Sequence, residues 1–306
     1  MPVKAQKRIA ARAASVAPTA WLATRERRNR VLSALQLAPA VLYLLLFLAA
    51  PLGIFLVYSF WITRRYELVA EWTSANYVEA LTQAVYRDLL RNTIEIALAA
   101  AAITVVLAYA FAHVIRFHLR RYQEVLLFLV IVALFSGYLV RIYAWRTILG
   151  DQGIINEALL RLGLVEKPLS FLLFSRPAAV IVLVNFLVPL AVLPIYGALQ
   201  NVRDDEVEAA RDLGAGPFAA FRRVTLPLAW NGVFVAFALS FIIAAGDYVT
   251  PQLVGGTSGT MIGRAIADQF GVTFAWPFGA ALAFLTLAFV LALLALFRWT
   301  SARLVR

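Results

Sequence analysis

AAVIVLVNFLVPLAVLPIYGAL, Ala178–Leu199, is the stretch on which the fold turns. It contains no charged residue, and its apolar side chains follow one another instead of alternating with polar ones. About 20 mostly apolar residues in helical form cross the hydrocarbon of a bilayer. Within lipid only a helix or a closed barrel satisfies its own backbone. An unbroken apolar run without a two-residue period selects the helix. Five more runs read the same way: Leu35–Trp61, Thr93–Ile115, Val125–Trp145, Val233–Tyr248 and Phe278–Phe297. The run from Val233 is the weakest and is expected to reach back to Trp230. The fold class expected is all-α, a polytopic membrane protein with six transmembrane helices.

The composition agrees. Of 306 residues, 62% are hydrophobic and 15% charged, whereas soluble domains carry about a quarter charged residues. So much apolar surface does not fit inside one soluble core. With no cysteine in the chain, disulfides, Cys-ligated zinc, iron–sulfur clusters and thiol catalysis are excluded. The two histidines, His113 and His118, stand beside Arg116 and Arg120 and are read as a wetted loop edge, not a metal site. The basic leader from Lys4 to Arg30 resembles that of a signal peptide. The apolar run after it is too long for one and lacks a clear small-residue cleavage pattern. It is therefore read as a retained first helix behind a disordered tail.

Charge placement sets the orientation. With both termini cytoplasmic, the leader, the second-to-third loop, the fourth-to-fifth loop and the tail hold 18 basic and 7 acidic residues. The remaining segments hold 10 of each, so the net charge of +11 lies on one side. This positive-inside pattern accounts for the basic balance without nucleic acid as a partner.

The fourth-to-fifth loop, DDEVEAARDLGAGPFAAFRRVTLP (Asp204–Pro227), reads as two short helices around a turn. Asp204 or Asp205 suits the first helix's N-cap, and acids crowd its positive end. Gly214 stands where a left-handed stop is wanted. Gly216 permits the turn, and Pro217 suits the first position of the next helix. Arg222 and Arg223 are expected at that helix's negative end, and Pro227 at the start of the following span. Val207, Leu213, Phe218 and Phe221 offer apolar contact. By shape alone this is either a docking knob or an amphipathic loop lying on the membrane.

Glu208-Ala209-Ala210, Gly214 four residues later and Leu226-Pro227 resemble the EAA loop of ABC importer permeases. The resemblance implies that Glu208, Ala209, Ala210, Gly214, Phe218, Leu226 and Pro227 belong to the contact with a separate ATPase subunit. Residues 1–30 are then a basic cytoplasmic tail, 31–91 the first transmembrane helix and an outer segment, and 92–300 the importer transmembrane domain with its coupling loop 204–227. The chain has no phosphate-cradling Gly-x-x-x-x-Gly-Lys-Ser/Thr run. Gly255-Gly256-Thr257-Ser258-Gly259 lacks the lysine and is read as a flexible outward loop. No cofactor is expected here; ATP and magnesium belong to the partner. The implied partners are a second permease in a heterodimer, two ATPase subunits, a periplasmic solute-binding protein and membrane lipid. The implied location is the bacterial inner membrane.

Tyr138–Arg146 with Gly150-Asp151-Gln152-Gly153, Gly246–Pro251, Met261-Ile262-Gly263 and Trp276-Pro277 resemble the first permease of spermidine/putrescine importers. The implied solute is a polyamine or a related small molecule. Asp247 is the carboxylate that the runs place inside a helix, about 24 Å along from Asn231 at about 1.5 Å per residue. Such groups face a pathway or a partner. Asp247 and Glu95 with Tyr143, Trp145 and Tyr248 suit an amine through charge pairing and cation–π contact. Alternatively, Asp247 pairs with Arg141 or Arg146, and Glu95 sits among wet headgroups. Pro189 and Pro194 mark a hinge or a static kink, and Ser136-Gly137 a close approach in the third span. Ile154, Ile155, Ala158, Leu159 and Leu162, and again Ile262, Ile266 and Phe270, recur at helical spacing. These two helices either meet the binding protein or float at the interface. A secondary transporter and a membrane anchor are the rival classes. No converging acids, bases or nucleophiles suggest an enzyme.

Overall fold

The computed structural model describes the backbone of residues 36–304 and the side chains as far as Ser301. The basic tail at 1–30, and Leu35, lie outside the described residues. The chain divides into two compact units between Val57 and Tyr58. The expected boundary at residues 91 and 92 lies inside a helix, Ala84–Phe117.

The described part of the first unit is the apolar helix α1 (Gln36–Tyr58), whose last residue opens the second unit. Pro51 stands in it without a break. The turn before the proline is a π-helix, Leu45–Ala49, in which Ala50 N–H donates to the carbonyl of Leu45, five residues back. A widened turn loosens the ladder where a proline ring would otherwise strike the carbonyl four residues back.

The second unit opens with a hairpin, β1 (Ile62–Arg64) and β2 (Glu67–Val69), with Arg64 opposite Glu67. Arg65 and Tyr66 both have positive φ, 47° and 68°, the mirror-image turn that matches strand twist. The described chain is mostly helical, as expected, with this one small sheet added, and the first helix ends at Tyr58, not Trp61. Three-residue strands carry too little alternation to be legible. Helices α2 (Ala75–Thr82), α3 (Ala84–Phe117), α4 (Gln123–Leu134), α5 (Tyr138–Leu149), α6 (Ile154–Arg161), α7 (Arg176–Gln200) and α8 (Asp204–Asp212) follow. The chain then continues through α9 (Pro217–Gly246), α10 (Ile262–Gly271) and α11 (Trp276–Leu304).

Among the described residues, α1, α3, α7, α9 and α11 are long and apolar enough to cross a membrane. The expected third span is not one helix. Its two halves are bent by 89° at Ser136-Gly137, where Gly137 takes an extended ψ of 125° and N-caps α5. Gly/Ser pairs are frequent causes of kinks, so this pair breaks the run instead of admitting a close neighbour. The fifth span is also redrawn. It begins at Pro217, sixteen residues ahead of Val233, and ends at Gly246. Charges at Arg222 and Arg223 end a hydropathy window, not a helix.

The core of this unit is α3 against α7 and α9. Ala97, Ala101, Thr104, Ala108 and Ala112 form a fully buried stripe along α3. Their spacing keeps them on one face, and small side chains bring helix backbones close where lipid supplies no hydrophobic drive. Ile96, Leu183, Leu187 and Phe241 fill the half nearer the start of α3; Ile195, Leu199, Val202 and Val233 fill the other. Pro189 and Pro194 lie inside an unbroken α7. The carbonyl of Pro194 packs on Gly232 of α9: a Cβ there would lie 2.5 Å from that oxygen and overlap Ala198.

The glycine-rich loop after α9 is held, not flexible. Asn92 donates to the carbonyls of Ser258 (2.7 Å) and Thr260 (3.0 Å), and Arg176 Nε to Ser258 O at 3.0 Å. Gly256 has φ +60°, and any side chain on it would meet the Phe174 backbone.

Gly232→Ala is expected to destabilise the fold by about 1–3 kcal/mol, the usual cost of overpacking. Gly197→Ala, which has open space around its Cβ, is expected to be neutral or to stabilise by up to about 1 kcal/mol. Thermal unfolding in detergent checks both; equal midpoints for the two variants would contradict the packing account.

Candidate functional site

The segment between α7 and α9 builds a compact projection. Helix α8 carries Asp204, Asp205 and Glu206 in its first turn and Arg211 in its last, both favourable to the helix dipole. Neither aspartate occupies the N-cap, as the sequence suggested. Arg203 does, and its backbone N–H is taken by the Glu206 carboxylate at 3.2 Å. Asp204 is drawn elsewhere. It pairs with Arg120, and with Arg116 at 3.3 Å, while Arg116 also donates to Val202 O at 3.1 Å. Arg116 in the last turn of α3 and Arg120 in the turn that follows thus latch the start of α8.

The Arg120 hydrogen bond, helped by Arg116, holds the Asp204 carboxyl below the usual carboxylate range. Because the folded-state value is depressed, the latch contributes at neutral pH and is lost as pH falls through that lowered value. It is partly exposed, so salt also weakens it.

The α8 C-terminus is closed as expected at Gly214, φ +85°. Ala215 N–H donates to Ala210 O (3.0 Å) and Gly214 N–H to Arg211 O (2.8 Å), the paired bonds of a Schellman stop. Pro217 then opens α9. Arg222 and Arg223 do not end this helix; they lie in a π turn, Phe221–Thr225, that runs into the span. Leu226 N–H donates to Phe221 O, and Pro227 follows the widened turn, as Pro51 does in α1.

The four apolar residues of this segment divide into two pairs. Val207 and Phe221 pack on the core beneath. Leu213 and Phe218 remain 90% and 73% exposed. Glu208 and Ala209 are exposed and Ala210 is half-buried. A pocket of about 460 Å³ lies behind α8, lined by His113, His118, Arg120, Asp204, Glu208 and Phe221 among others. His113 is not a wetted loop edge: it is half-buried inside α3, its ring among Tyr109, Phe117, His118 and Phe221. Among the described residues no cluster of His, Asp and Glu is suited to a metal.

The other expected residues lie at the opposite end of α9. Asp247 is not embedded in the helix; it is the C-cap, with ψ 129°. Its Oδ1 accepts Val249 N–H (2.9 Å) and Thr250 N–H (3.4 Å), and its Oδ2 accepts the Tyr138 hydroxyl at 2.5 Å. Arg141 and Arg146 instead lie over the rings of Phe186 and Phe174. Tyr248 and Tyr143 are exposed, and Trp145 packs beside Ile142 and Val254. Glu95 has both oxygens engaged, by Arg91 (2.7 Å) and Arg176 (3.0 Å). Of the two apolar helices, α10 buries Ile262 and Ile266 against Phe278 and Leu282; in α6, Ile155 packs inward while Ile154 stays exposed. The partners that sequence reading missed are Arg116, Arg120 and Tyr138. The arginines were visible as basic residues at a span end, and Tyr138 as the residue following Ser136-Gly137.

Residues 105–306 match the family described as the binding-protein-dependent transport system inner membrane component. The spermidine/putrescine transport system permease protein PotB of Escherichia coli (strain K12) is 35% identical over 233 residues, 76% of this chain and 84% of the relative. PotB of Haemophilus influenzae is 34% identical over 209 residues, 68% of this chain and 72% of the relative. A crystal structure of a bacterial ABC transporter involved in import of the acidic polysaccharide alginate superimposes with a TM-score of 0.72. It covers 93% of this chain and 99% of the solved one at 16% identity, a likeness of fold. The chain belongs to the family of binding-protein-dependent transport system inner membrane components, multi-pass transport subunits and not enzymes.

Proposed function

We propose that this chain is a permease subunit of an ATP-driven importer for polyamines, and that residues 204–227 dock on a separate ATPase subunit. The observation that carries the docking reading is the projection itself. Leu213 and Phe218 are presented to solvent at its tip, while Val207, Phe221 and the Asp204 latch fasten its base. The apolar pair would enter a cleft on the partner, Glu208 would meet a basic group there, and Ala209, Ala210 and Gly214 would allow close approach. Leu226 and Pro227 lie where the projection passes into the span. ATP and magnesium are placed on the ATPase.

Six crossings with both termini cytoplasmic fit this reading. Helix α9 has 30 residues, about 45 Å at about 1.5 Å per residue. The turn that leads into α4 is tied to the start of α8, in the projection, through Arg120 and Asp204. The break at the other end of α4 is tied to the cap of α9 through Tyr138 and Asp247. The pair therefore supplies a crossing of its own. The excess of Lys and Arg on the projection's side supports a cytoplasmic placement.

The solute reading rests on two supports. Relatives at 34–35% identity carry the name of spermidine and putrescine transport. Asp247, with the exposed rings of Tyr248 and Tyr143 on neighbouring elements, offers a carboxylate and aromatic faces to an ammonium. Glu95, held by two guanidiniums, is assigned to bracing α3 against α7, and Trp145 to holding α5 in place. The assembly proposed has a second permease, two ATPase subunits, a periplasmic solute-binding protein and surrounding lipid. ATP binding and release shift the populations of two packings of the spans; no bond is made or broken in this chain.

Two outcomes follow. The double variant Leu213→Ser/Phe218→Ser removes apolar groups whose burial is worth about 1.5–3 kcal/mol each. It is expected to weaken ATPase association at least a hundredfold, measured by co-purification at varied concentration; unchanged association would refute docking at the tip. Asp247→Asn is expected to raise the KM for polyamine uptake roughly tenfold, about 1.5 kcal/mol for a charged hydrogen bond. An unaltered KM in reconstituted vesicles would remove Asp247 from the solute path.

A further inference from the structure

The far end of α9 carries a bridge that neither the sequence motifs nor the family likeness assigns. Tyr138 is the first residue of α5, directly after the break at Ser136-Gly137. Its hydroxyl lies 2.5 Å from Asp247 Oδ2 and 2.8 Å from Thr250 Oγ1. The direction of these bonds is fixed by chemistry. A carboxylate only accepts, so Tyr138 donates its single hydrogen to Asp247. Thr250 must then donate to Tyr138. Thr250 is fully buried, so a lost partner there leaves a stranded polar group.

The bridge joins two mechanically different bodies. On one side is α9, a continuous helix from the projection at Pro217 to Gly246, with Asp247 as its cap. The segment after Asp247 is fixed in turn: Thr93 Oγ1 accepts Ile262 N–H at 2.8 Å, and Asn92 and Arg176 hold Ser258. On the other side is α5, beyond the 89° bend between Arg120–Leu134 and Tyr138–Arg161, with Gly137 at the break as its N-cap. The Tyr138 ring lies tilted by 59° against Phe186 of α7, centroids 4.8 Å apart, so the ring has packing of its own apart from the hydroxyl.

We propose that Tyr138 is a positioning residue for transport: its hydroxyl, bound to Asp247 and Thr250, ties the hinged half of the broken span to the tip of α9. A displacement of α9 at its projection then moves α5 as well, and the mouth of the pathway opens and closes in step with the ATPase. This deepens the proposed function and rests on the reading of residues 204–227 as the docking loop. Tyr138 acts through Asp247 and does not itself contact the solute.

The assembled transporter, with its partner subunits in proteoliposomes, tests this by measuring solute imported per ATP hydrolysed together with the KM for putrescine. Tyr138→Phe keeps the ring and removes both hydrogen bonds. Solute per ATP is expected to fall at least fivefold, with KM within twofold of wild type. Thr250→Val is expected to lower the ratio in the same direction, and Thr250→Ser to restore it. In Asp247→Asn the amide oxygen keeps the Val249 and Thr250 N–H groups and the NH2 faces Tyr138, whose hydroxyl then accepts from it and donates to Thr250. The bridge persists with its bond directions reversed, so this variant is expected to raise KM and keep the ratio. A wild-type ratio in Tyr138→Phe, or a change confined to its KM, would overturn the bridge. Uptake by the wild-type complex that ignores ATP would overturn the docking reading instead, so the two failures are distinct.

Discussion

Gly232 lets the backbone of α9 lie against the Pro194 carbonyl of α7, and the rest of the second unit is arranged around that contact. With no side chain at this point the two helices pack at backbone distance. The alanine stripe of α3 closes on them from a third side. In lipid, where apolar side chains gain nothing by leaving solvent, close packing and satisfied polar groups decide which helices associate. Helix α9 is thereby seated along its length, with a projection at one end and the Asp247 cap at the other. A push on the projection meets a helix without an internal break.

Outside α7, whose Pro189 and Pro194 lie in an unbroken helix, widened turns accompany three prolines. Pro51 and Pro227 each follow a five-residue π turn, and Pro251 opens another. Widened turns spare the carbonyl that the ring would strike. The irregular backbone beyond α9 is satisfied by side chains borrowed from other helices. Asn92, Thr93 and Arg176 receive or donate the bonds that helix would otherwise supply. Such non-helical segments persist at membrane depth only where protein buries them.

The apolar runs were legible because a bilayer demands length and continuity, and residues within Leu35–Trp61, Thr93–Ile115, Ala178–Leu199 and Phe278–Phe297 do form long helices. Gly214 was legible because a left-handed stop with a following Gly-Pro has few other uses. The break at Ser136-Gly137 was not, since hydropathy averages over a single glycine. The start of α9 at Pro217 was hidden by Arg222 and Arg223, which are charged but remain helical. Asp247 was misplaced by the same averaging: the run counted through Gly246, where the backbone leaves the helix. The Asp204 latch and the Tyr138 bridge join residues 84 and 109 positions apart, distances at which sequence spacing carries no geometry.

The proposed engagement of a nucleotide-hydrolysing partner by the projection around Leu213 and Phe218, on the cytoplasmic side, is open to direct measurement. The chain contains no cysteine, so a single Leu213→Cys substitution is a unique reporter. In membrane vesicles of known sidedness, the account predicts that this thiol is labelled only from the cytoplasmic face. It further predicts that the assembled ATPase shields the thiol and that it cross-links to a cysteine in that subunit, with a yield that changes with bound nucleotide. Labelling from the periplasmic face, or no cross-link to the ATPase in any nucleotide state, would contradict it.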